Sequence, residues 1–281
     1  FNLECPMKRP EFAVIFAKIF RSLIMMSTNF LGYRAGFRML SYLIESLDPV
    51  ITTQTKHGDI RFYCPATWPF KRSDIKGPNV MEWIDGFPEG DVLWDIGANI
   101  GVYTLYAARR GLRVFAFEPA AVNYFVLVKN IEINGIEDRA SSLNLALHEK
   151  TELSELNMSR TEIGSAQHTF GAEQTEDVSI KPHASRNKFR QTVLGYSVDE
   201  FIEVFRPEFP SRLKIDVDGN ECLILKGAER TLADGRLKSF LVEVRDNTRE
   251  EVKKRVTQAG FVCVEGGEQT SGVGDLLFER A

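Results

Sequence analysis

The sequence predicts an α/β fold with a doubly wound, Rossmann-like sheet that is mostly parallel, a C-terminal antiparallel hairpin and an N-terminal helical extension. From residue 91 onward, short apolar runs alternate with helical stretches, a pattern that right-handed crossovers join into a parallel sheet. A glycine turn follows the first of these runs, where such sheets bind ligands. The last two runs, "FVCVEG" and "GDLLFER", lie too close together for a crossover helix and therefore predict the hairpin.

Three regions are expected along the 281 residues. Residues 1–50 form the helical extension, which ends at Pro49. Residues 51–90 form a small β/loop cap region, with two strands around "HGD" and a short helix in "NVMEWIDGF". Residues 91–281 form the main domain, which carries a long polar insertion at 148–196, and insertions of this length are usually functional.

Strands of the main domain are predicted at "DVLWDIG", "RVFAFEP", "SSLNLAL", "RLKIDVD" and "SFLVEV". Helices are predicted at "GVYTLYAARRG", "AVNYFVLVKNIEING", "SVDEFIEVF", "ECLILKGAERTLADG" and "TREEVKKRVTQAG". Ser197 is expected to cap the third of these helices, with Glu200 completing a capping box. Within the insertion, further strands are expected at "ELSELNM" and "FRQTVLG".

Charge and cysteine usage restrict the class of partner. The net charge of −4 argues against a nucleic-acid-binding surface. Four cysteines without C-x-x-C spacing indicate reduced thiols and a cytoplasmic protein. Residues 11–26 are strongly apolar, but Lys18 and Arg21 interrupt them, so they make a poor membrane span. They predict a helix that docks on the main domain or on a second copy of the chain, and the alternative is a helix that lies at the periphery of a membrane.

Two acids flank the glycine turn 97–101. Asp95 precedes the turn, and Glu118 ends the next strand. The amides of such a turn attract anions, but a carboxylate beside it opposes a pyrophosphate and favours a cation. S-adenosylmethionine carries an ammonium and a sulfonium, together with a carboxylate for the turn amides. Glu118 is placed to accept hydrogen bonds from ribose hydroxyls, as in NAD enzymes, so Asp95 distinguishes the two cofactors.

Three sequence blocks carry a family resemblance. "EWIDGFPEGDVLWDIGANIGVYTLYAA", "FAFEPAAVNYFVLVKNIEING" and "LKIDVDGNECLILKGA" resemble, in this order, blocks of FkbM-type methyltransferases, a branch of the class I S-adenosylmethionine-dependent enzymes. The resemblance implies O-methylation of a sugar or natural-product hydroxyl, and methyltransferase sheets end in an antiparallel hairpin. The cofactor-binding residues that it implies are Asp95, Gly97, Ala98, Asn99, Gly101, Tyr103 and Thr104 around the methionine part, Glu118 at the ribose and Ala146 near the adenine.

Acids at the end of the fourth predicted strand are the candidate catalytic residues. Asp216, Asp218 and Glu221 are expected beside the first strand, near the transferred methyl group, where crowding raises the pKa of at least one carboxylate and makes it a base. Asp218 stands where the family block usually has Glu, which shifts the reach of that acid. His168 in the insertion is an alternative base. No metal site is assigned.

The leading hypothesis is an S-adenosylmethionine-dependent O-methyltransferase acting on a hydroxyl of a small molecule or glycan. One alternative is an NAD-linked oxidoreductase on the same sheet, although the missing second glycine of its fingerprint and the presence of Asp95 count against it. The other is a non-catalytic cofactor-binding module that acts through its N-terminal helix.

Overall fold

A computed structural model describes residues 9–66, 69, 78–158, 160–171, 189–266 and 272–281. The chain forms two compact units, Phe1–Pro49 and Val50–Ala281. The motif "WPFKR" at 68–72 and the middle of the predicted insertion lie largely outside the described residues.

The N-terminal unit consists of helices α1 (Arg9–Phe30) and α2 (Tyr33–Leu47), which confirms the predicted helical extension. The two helices approach closely at Gly36, where a Cβ atom would lie 2.5 Å from the carbonyl oxygen of Thr28. Large apolar side chains such as Phe16 and Phe20 are exposed on α1. Among the described helices, none is both long enough and apolar enough to cross a bilayer. A second copy and a membrane surface both remain predictions for residues 11–26.

The main unit is built on a seven-stranded sheet with the order β12-β13-β11-β10-β3-β4-β5. Its strands are β3 (Val92–Ile96), β4 (Arg113–Phe117), β5 (Ala140–Leu143), β10 (Arg212–Ile215), β11 (Ser239–Arg245), β12 (Phe261–Gly266) and β13 (Val273–Arg280). The five strands from β11 to β5 are parallel. Strand β13 is antiparallel to both β11 and β12. The predicted parallel sheet and its C-terminal hairpin are therefore confirmed.

Residues 51–90 share the core of this unit. Strands β1 (Val50–Thr55) and β2 (Gly58–Tyr63) form an antiparallel hairpin, and helix α3 spans Pro78–Asp85. Ile60 and Phe62 of β2 pack in one apolar cluster with Trp83 of α3 and Leu105 of the helix after β3. The sequence placed 51–90 in a region of its own, whereas these contacts join it to the main core.

The remaining helices follow the predicted positions. They are α4 (Val102–Arg110), α5 (Ala121–Asn134), α6 (Val198–Phe205), α7 (Glu221–Lys226), α8 (Glu229–Ala233) and α9 (Asp246–Gln258). The single helix expected over 221–235 is wrong, because the chain breaks it between α7 and α8. A Cβ atom at Gly227 would lie 2.2 Å from the carbonyl oxygen of His148, so this close backbone approach requires glycine.

The predicted capping box of α6 forms only in part. The Ser197 hydroxyl accepts a hydrogen bond from the Glu200 amide at 3.1 Å, as an N-cap should. The Glu200 carboxylate, however, accepts hydrogen bonds from the amide and the hydroxyl of Thr151. Glu200 therefore connects α6 to the start of the insertion through its hydrogen bonds with Thr151.

The insertion forms a second sheet of four strands, in the order β6-β9-β7-β8. The strands are β6 (Ala146–His148), β7 (Glu152–Met158), β8 (His168–Phe170) and β9 (Phe189–Ser197), so both strands expected within it are confirmed. The third strand predicted for the main sheet ends early, at Leu143. Asn144 donates its side-chain amide to the carbonyls of Glu118 and Pro119 at 2.8 and 3.1 Å, and the chain then crosses to the second sheet.

Candidate active site

A cavity of about 220 Å³ lies at the carboxyl ends of β3, β4, β10 and β11. In a doubly wound sheet this edge is where ligands bind. Strand β10 lies between β3 and β11, as expected for a fourth strand beside the first. The second sheet contributes Leu156 and Phe170 to the opposite wall. The predicted site residues that line the cavity are Gly97, Asn99, Glu118, Ala146, Asp216 and Asp218.

The glycine turn has a left-handed backbone at three positions. Gly97, Asn99 and Gly101 have φ angles of 81°, 52° and 90°. At Gly97 a Cβ atom would lie 1.9 Å from the carbonyl oxygen of Asp216, and at Gly101 it would lie 2.6 Å from the Leu127 side chain. The glycines therefore allow the turn to pass directly against β10 and α5.

The amides of this turn are occupied by the protein itself. Gly97 and Ala98 both donate to the carbonyl of Phe117 at 3.0 Å, and Gly101 donates to the carbonyl of Ala98 at 2.8 Å. The amide of Asn99 donates to the Glu118 carboxylate at 2.8 Å. The expectation that these amides would hold a ligand carboxylate is therefore corrected, because each already has an acceptor within the chain.

Asp95 lies inside the sheet and does not line the cavity. Its side chain is fully buried. One carboxylate oxygen accepts a hydrogen bond from the Thr104 hydroxyl at 2.7 Å. The other lies 3.4 Å from Nζ of Lys214 on the neighbouring strand. The sequence argument treated Asp95 as an unpaired carboxylate at the turn, and this premise is corrected, since Lys214 neutralises it.

Lys214 is a functional candidate that sequence reasoning missed. It pairs in register with Asp95 across β3 and β10, is almost completely buried, and also reaches Asp216 at 3.2 Å. Burial opposes its charged form, but the carboxylates of Asp216 and Asp95 outweigh burial and raise the pKa of Lys214. The available signal was a lysine inside the apolar run "LKID", because a buried lysine requires an anionic partner.

Glu118 closes the turn from the next strand. Its two carboxylate oxygens accept hydrogen bonds from the amides of Asn99 and Ala120, at 2.8 and 2.9 Å. Burial raises its pKa to about 7, and the charge of Asp218 adds to this, against the lowering effect of its hydrogen bonds. Glu118 lines the cavity, so its remaining acceptor positions can meet a ligand.

A loop before β8, residues 163–167, covers the turn. The carbonyl of Ser165 accepts hydrogen bonds from the side-chain amides of Asn99 and Asn123, both at 3.0 Å. Asn123 also accepts from the Gly164 amide at 2.7 Å. Asn123, on the first turn of α5, was not singled out from the sequence. It attaches the "IGSA" loop to α5, beside the glycine turn.

His168 and Asp218 both line the cavity and each contacts this loop. His168 lines the cavity, with Nε2 3.1 Å from the Ser165 hydroxyl. Asp218 accepts a hydrogen bond from the Gln167 amide at 2.6 Å. Regular strand alternation would place Asp216 and Asp218 on one face, but β10 ends at Ile215 and Asp218 has a φ of 61°. Both acids reach the cavity through a turn rather than through strand alternation.

The three predicted catalytic acids are in different surroundings. Asp216 lines the cavity and is paired with Lys214 at 3.2 Å. Glu221 is buried and accepts a hydrogen bond from the Gly219 amide at 2.9 Å. Burial raises its pKa, against the lowering effect of these amide hydrogen bonds. Glu221 is the first residue of α7 and does not line the cavity, so its catalytic role stays a prediction.

Glu243 is an acid of the cavity lining that sequence reasoning missed. It lies on β11, next to Asp216, and lines the cavity. Burial raises its pKa to about 8, and the negative charges of Asp216, Asp218, Asp275 and Glu221 add to this. In the sequence it is one acid in "LVEVR", which reads as an ordinary strand residue.

The other predicted cofactor residues surround the turn without lining the cavity. Ala98 and Gly101 are packed in the turn, and Thr104 is buried against Asp95. The ring of Tyr103 lies 5.1 Å from Nζ of Lys214. Burial raises the pKa of Tyr103. These residues support the turn and surround the ion pair of Lys214 with Asp95. Direct contact between them and a cofactor stays a prediction.

The cavity carries negative charge. Its described lining includes Glu118, Asp216, Asp218 and Glu243 and has no lysine or arginine. Apolar side chains of Phe117, Leu145 and Leu147 form one side. This donor set fits a positively charged nucleoside, with an apolar wall for a base and a carboxylate for ribose hydroxyls. Within the residues that the structure describes, no group of histidine, cysteine and acidic side chains is arranged to hold a metal ion.

Comparison with known proteins identifies the family. The model of the methyltransferase FkbM domain matches residues 95–268, which is more than half of the chain. The chain therefore belongs to this family, as the three sequence blocks indicated.

Among curated proteins, the chain is similar to the hexuronic acid methyltransferase AglP of Haloferax volcanii. The two are 31% identical over 144 residues, which cover 51% of this chain and 52% of that protein. It is also 28% identical to methyltransferase sdnD of Sordaria araneosa, over 52% of this chain and 63% of that protein. The chain thus spans between half and two thirds of the length of these relatives.

Among solved structures, the chain is similar to a methyltransferase FkbM from Methylobacillus flagellatus KT. The identity is 15%, the TM-score is 0.48, and the match covers 68% of this chain and 44% of that chain.

Proposed function

We propose that the protein is an S-adenosylmethionine-dependent O-methyltransferase acting on a hydroxyl of a sugar, glycan or natural product. The observation that carries this proposal is the acidic cavity at the carboxyl ends of β3, β4, β10 and β11, in a chain of the FkbM methyltransferase family. Its negative charge favours a cationic nucleoside over a dinucleotide with a pyrophosphate. Of the two curated relatives described above, AglP is the one whose name gives a sugar acid as its substrate. A sugar acceptor for this chain is proposed by analogy with AglP.

The proposed cofactor arrangement follows from the cavity walls. Glu118 would accept hydrogen bonds from the ribose hydroxyls, and Leu145 and Leu147 would pack against the adenine. Asp216 and Glu243 would face the positively charged end. When bound, S-adenosylmethionine supplies a methyl group that is already activated for transfer to oxygen.

The residues of this chain would then act mainly by placing the acceptor and excluding water. The loop 163–167 and Phe170 form the wall opposite the main sheet, and they would hold the acceptor against Asp216. An alcohol is a weak nucleophile, so a carboxylate near its hydroxyl accelerates transfer by taking the proton. The predicted base Asp216 lines the cavity, with a carboxylate oxygen 3.2 Å from Nζ of Lys214.

Binding of the two nucleotide classes tests the proposal directly. We expect isothermal titration calorimetry of the protein to show saturable binding of S-adenosylmethionine and no binding of NAD, because the lining acids repel a pyrophosphate. Binding of NAD without S-adenosylmethionine would instead favour the oxidoreductase. A second test offers a panel of sugars and polyols together with the labelled cofactor. If the cofactor binds but no labelled methyl is transferred to any of them, the non-catalytic module becomes the favoured hypothesis.

Glu118→Gln is expected to weaken binding of both S-adenosylmethionine and its demethylated product by roughly 10- to 100-fold, or about 1.5–3 kcal/mol, the usual worth of a hydrogen bond to a charged group. The substitution keeps the size of the side chain but makes it a poorer acceptor for ribose hydroxyls. Calorimetry with both ligands measures this. Glu149→Gln, at an exposed acid, is the control and should bind like the wild type. Loss of affinity for only one of the two ligands would contradict a ribose role.

A further inference from the structure

Three carboxylates lie side by side across three adjacent strands. Ile215 and Val242 are in register on β10 and β11, so Asp216 and Glu243, the next residues, lie at neighbouring positions. On the other side, Glu243 is directly paired with Asp275 of β13. Asp216 and Glu243 line the cavity, whereas Asp275 lies behind them. Glu243 is therefore the middle member of a carboxylate row that faces the proposed cofactor site.

The positive charges near this row are distributed unevenly among its three carboxylates. Lys214 contacts Asp216, at 3.2 Å, and Asp95, at 3.4 Å, so its positive charge is shared by two other carboxylates. Arg245 donates to the carbonyl of Asp218 at 2.6 Å. The other titratable groups that act on the row are Asp218, Glu221 and Tyr103. Of the three carboxylates in the row, Glu243 is thus the one on which the negative charges of its neighbours act most strongly.

From this arrangement we infer that Glu243 is a catalytic residue, which exchanges a proton in step with the charge of the cofactor and accepts the proton of the acceptor hydroxyl. The inference rests on the proposed function and adds a residue that neither the family blocks nor the predicted acids included. It separates two roles within the row. Asp216, paired with Lys214 at 3.2 Å, faces the positively charged end of the cofactor, and Glu243 replaces it as the group that takes up and releases the proton.

The charge balance of the transfer supports this role. Methyl transfer breaks one carbon–sulfur bond and forms one oxygen–carbon bond, and the sulfur keeps the electron pair and loses its positive charge. The acceptor hydroxyl loses its proton, which passes to the carboxylate of Glu243. The site holds one positive and one negative charge before the step and neither afterwards, so the cavity is not left with a net change of charge.

The proton affinity of Glu243 changes in the required direction. In the free protein, burial and neighbouring acids hold its pKa at about 8. A cation bound in the cavity offsets those negative charges and lowers the pKa, so that Glu243 releases its proton when the cofactor binds. Loss of the positive charge during transfer reverses this effect, and the carboxylate becomes a stronger base as the acceptor proton becomes available.

Proton release on cofactor binding tests the inference without any acceptor. Calorimetry of S-adenosylmethionine binding at pH 8, in two buffers with different ionisation enthalpies, measures the number of protons released. Wild-type protein is expected to release a measurable fraction of a proton, because burial and the neighbouring acids keep Glu243 partly protonated at this pH. Glu118, with a pKa of about 7, is mostly ionised at this pH and contributes little.

Matched probes and variants make the outcome specific. S-adenosylhomocysteine, which keeps the ammonium but lacks the sulfonium, should release fewer protons from the wild type than S-adenosylmethionine does. Glu243→Gln should bind S-adenosylmethionine with proton release reduced to near zero. Glu279→Gln, the same change at an exposed acid on β13, should behave like the wild type.

The pH dependence of stability supplies a second measurement. The pKa of Glu243 is about 8 in the folded protein and about 4.3 in the unfolded chain. Between these values the folded state holds a proton that the unfolded state does not, so stability falls as the pH rises. The melting temperature of Glu243→Gln should therefore fall less between pH 5 and pH 9 than that of the wild type.

The possible failures are distinguishable. If the wild type does not bind S-adenosylmethionine, the proposed function and this inference both fall. Binding without proton release from the wild type, or equal release for the two ligands, overturns the inference alone. Unchanged proton release in Glu243→Gln also overturns it, because the proton then belongs to another group.

Discussion

Gly97→Ala is expected to lower the free energy of unfolding by roughly 2–5 kcal/mol, the sum of a left-handed backbone penalty and forced overpacking. Gly97 has a φ of 81°. Its added Cβ atom would lie 1.9 Å from the carbonyl oxygen of Asp216. Because this obstacle is backbone at the end of β10, it cannot be removed by a change of rotamer, and either the turn or the strand end must move.

The same displacement should abolish measurable cofactor binding. Gly97 and Asp216 form adjacent parts of the cavity wall, so separating them disturbs both the turn and the carboxylate row. Urea unfolding gives the stability change, and calorimetry with S-adenosylmethionine gives the loss of affinity. A protein that is destabilised but binds the cofactor normally would show that the turn does not form the site.

Gly90→Ala is the matched control for backbone strain. Gly90 has a φ of 85°, close to that of Gly97, but an added Cβ atom there meets nothing within 4 Å. Its cost should be only the left-handed penalty, about 1–2 kcal/mol, with normal cofactor binding. Equal destabilisation by the two substitutions would mean that the contact with Asp216 carries no weight.

Local periodicity explains why the architecture was predictable. Alternating apolar runs and helical stretches identify strands and helices one at a time, and the short C-terminal connection is enough for the hairpin. The helix break at Gly227 was not predicted. The backbone there packs against the carbonyl of His148, a contact with a residue distant in the sequence that local periodicity does not reveal. The second sheet was also only partly predictable, since β6 was read as the end of a main-sheet strand.

Site residues were predictable from the sequence where a position at the end of a strand is enough to bring the residue to the cavity. Gly97, Glu118 and Asp216 line the cavity because they follow strand ends, which the sequence marks. The partners of Asp95 could not be predicted in the same way. Lys214 is its neighbour through strand register across more than a hundred residues, and this pairing turns a presumed ligand-binding acid into part of a buried ion pair.

The negative charge of the cavity was expected on the wrong residue for the same reason. Asp95 is neutralised inside the sheet, whereas Glu243 enters the lining from β11. The electrostatic argument for a cationic cofactor therefore rests on Asp216 and Asp218 after β10 rather than on the acid before the turn. Glu243 on β11 adds its negative charge when a bound cation lowers its pKa. A pattern within one segment identifies the edge where ligands bind, but the sign of its charge depends on several strands together.

Lys214→Met is expected to destabilise the protein by about 3–5 kcal/mol, the usual cost of removing one partner from a buried ion pair. Asp95 is fully buried, so without Lys214 its carboxylate has only the Thr104 hydroxyl as a partner among the described contacts. Methionine keeps the length of the side chain, and the loss therefore reports the charge. Urea unfolding at neutral pH measures it.

Removal of the stranded charge should restore most of the lost stability. In Asp95→Asn/Lys214→Met the fully buried ion pair is absent, and Thr104 can still donate to the amide oxygen. Asp216 is 37% exposed and can be hydrated. The double variant should therefore be clearly more stable than Lys214→Met, although it carries one more substitution. Additive losses in a double-mutant cycle would contradict the pairing.

Lys129→Met is the control for loss of a lysine from an exposed pair. Lys129 meets Glu132 at 3.0 Å, with the two side chains 34% and 67% exposed, and such pairs contribute less than about 1 kcal/mol. The pKa of Lys214 is raised above its unfolded value of about 10.4, so its contribution is fully present below that pH and is lost only as the pH rises beyond it. The difference between Lys214→Met and wild type should accordingly stay constant from pH 6 to pH 9, and a difference that disappears within this range would assign the stabilisation to another group.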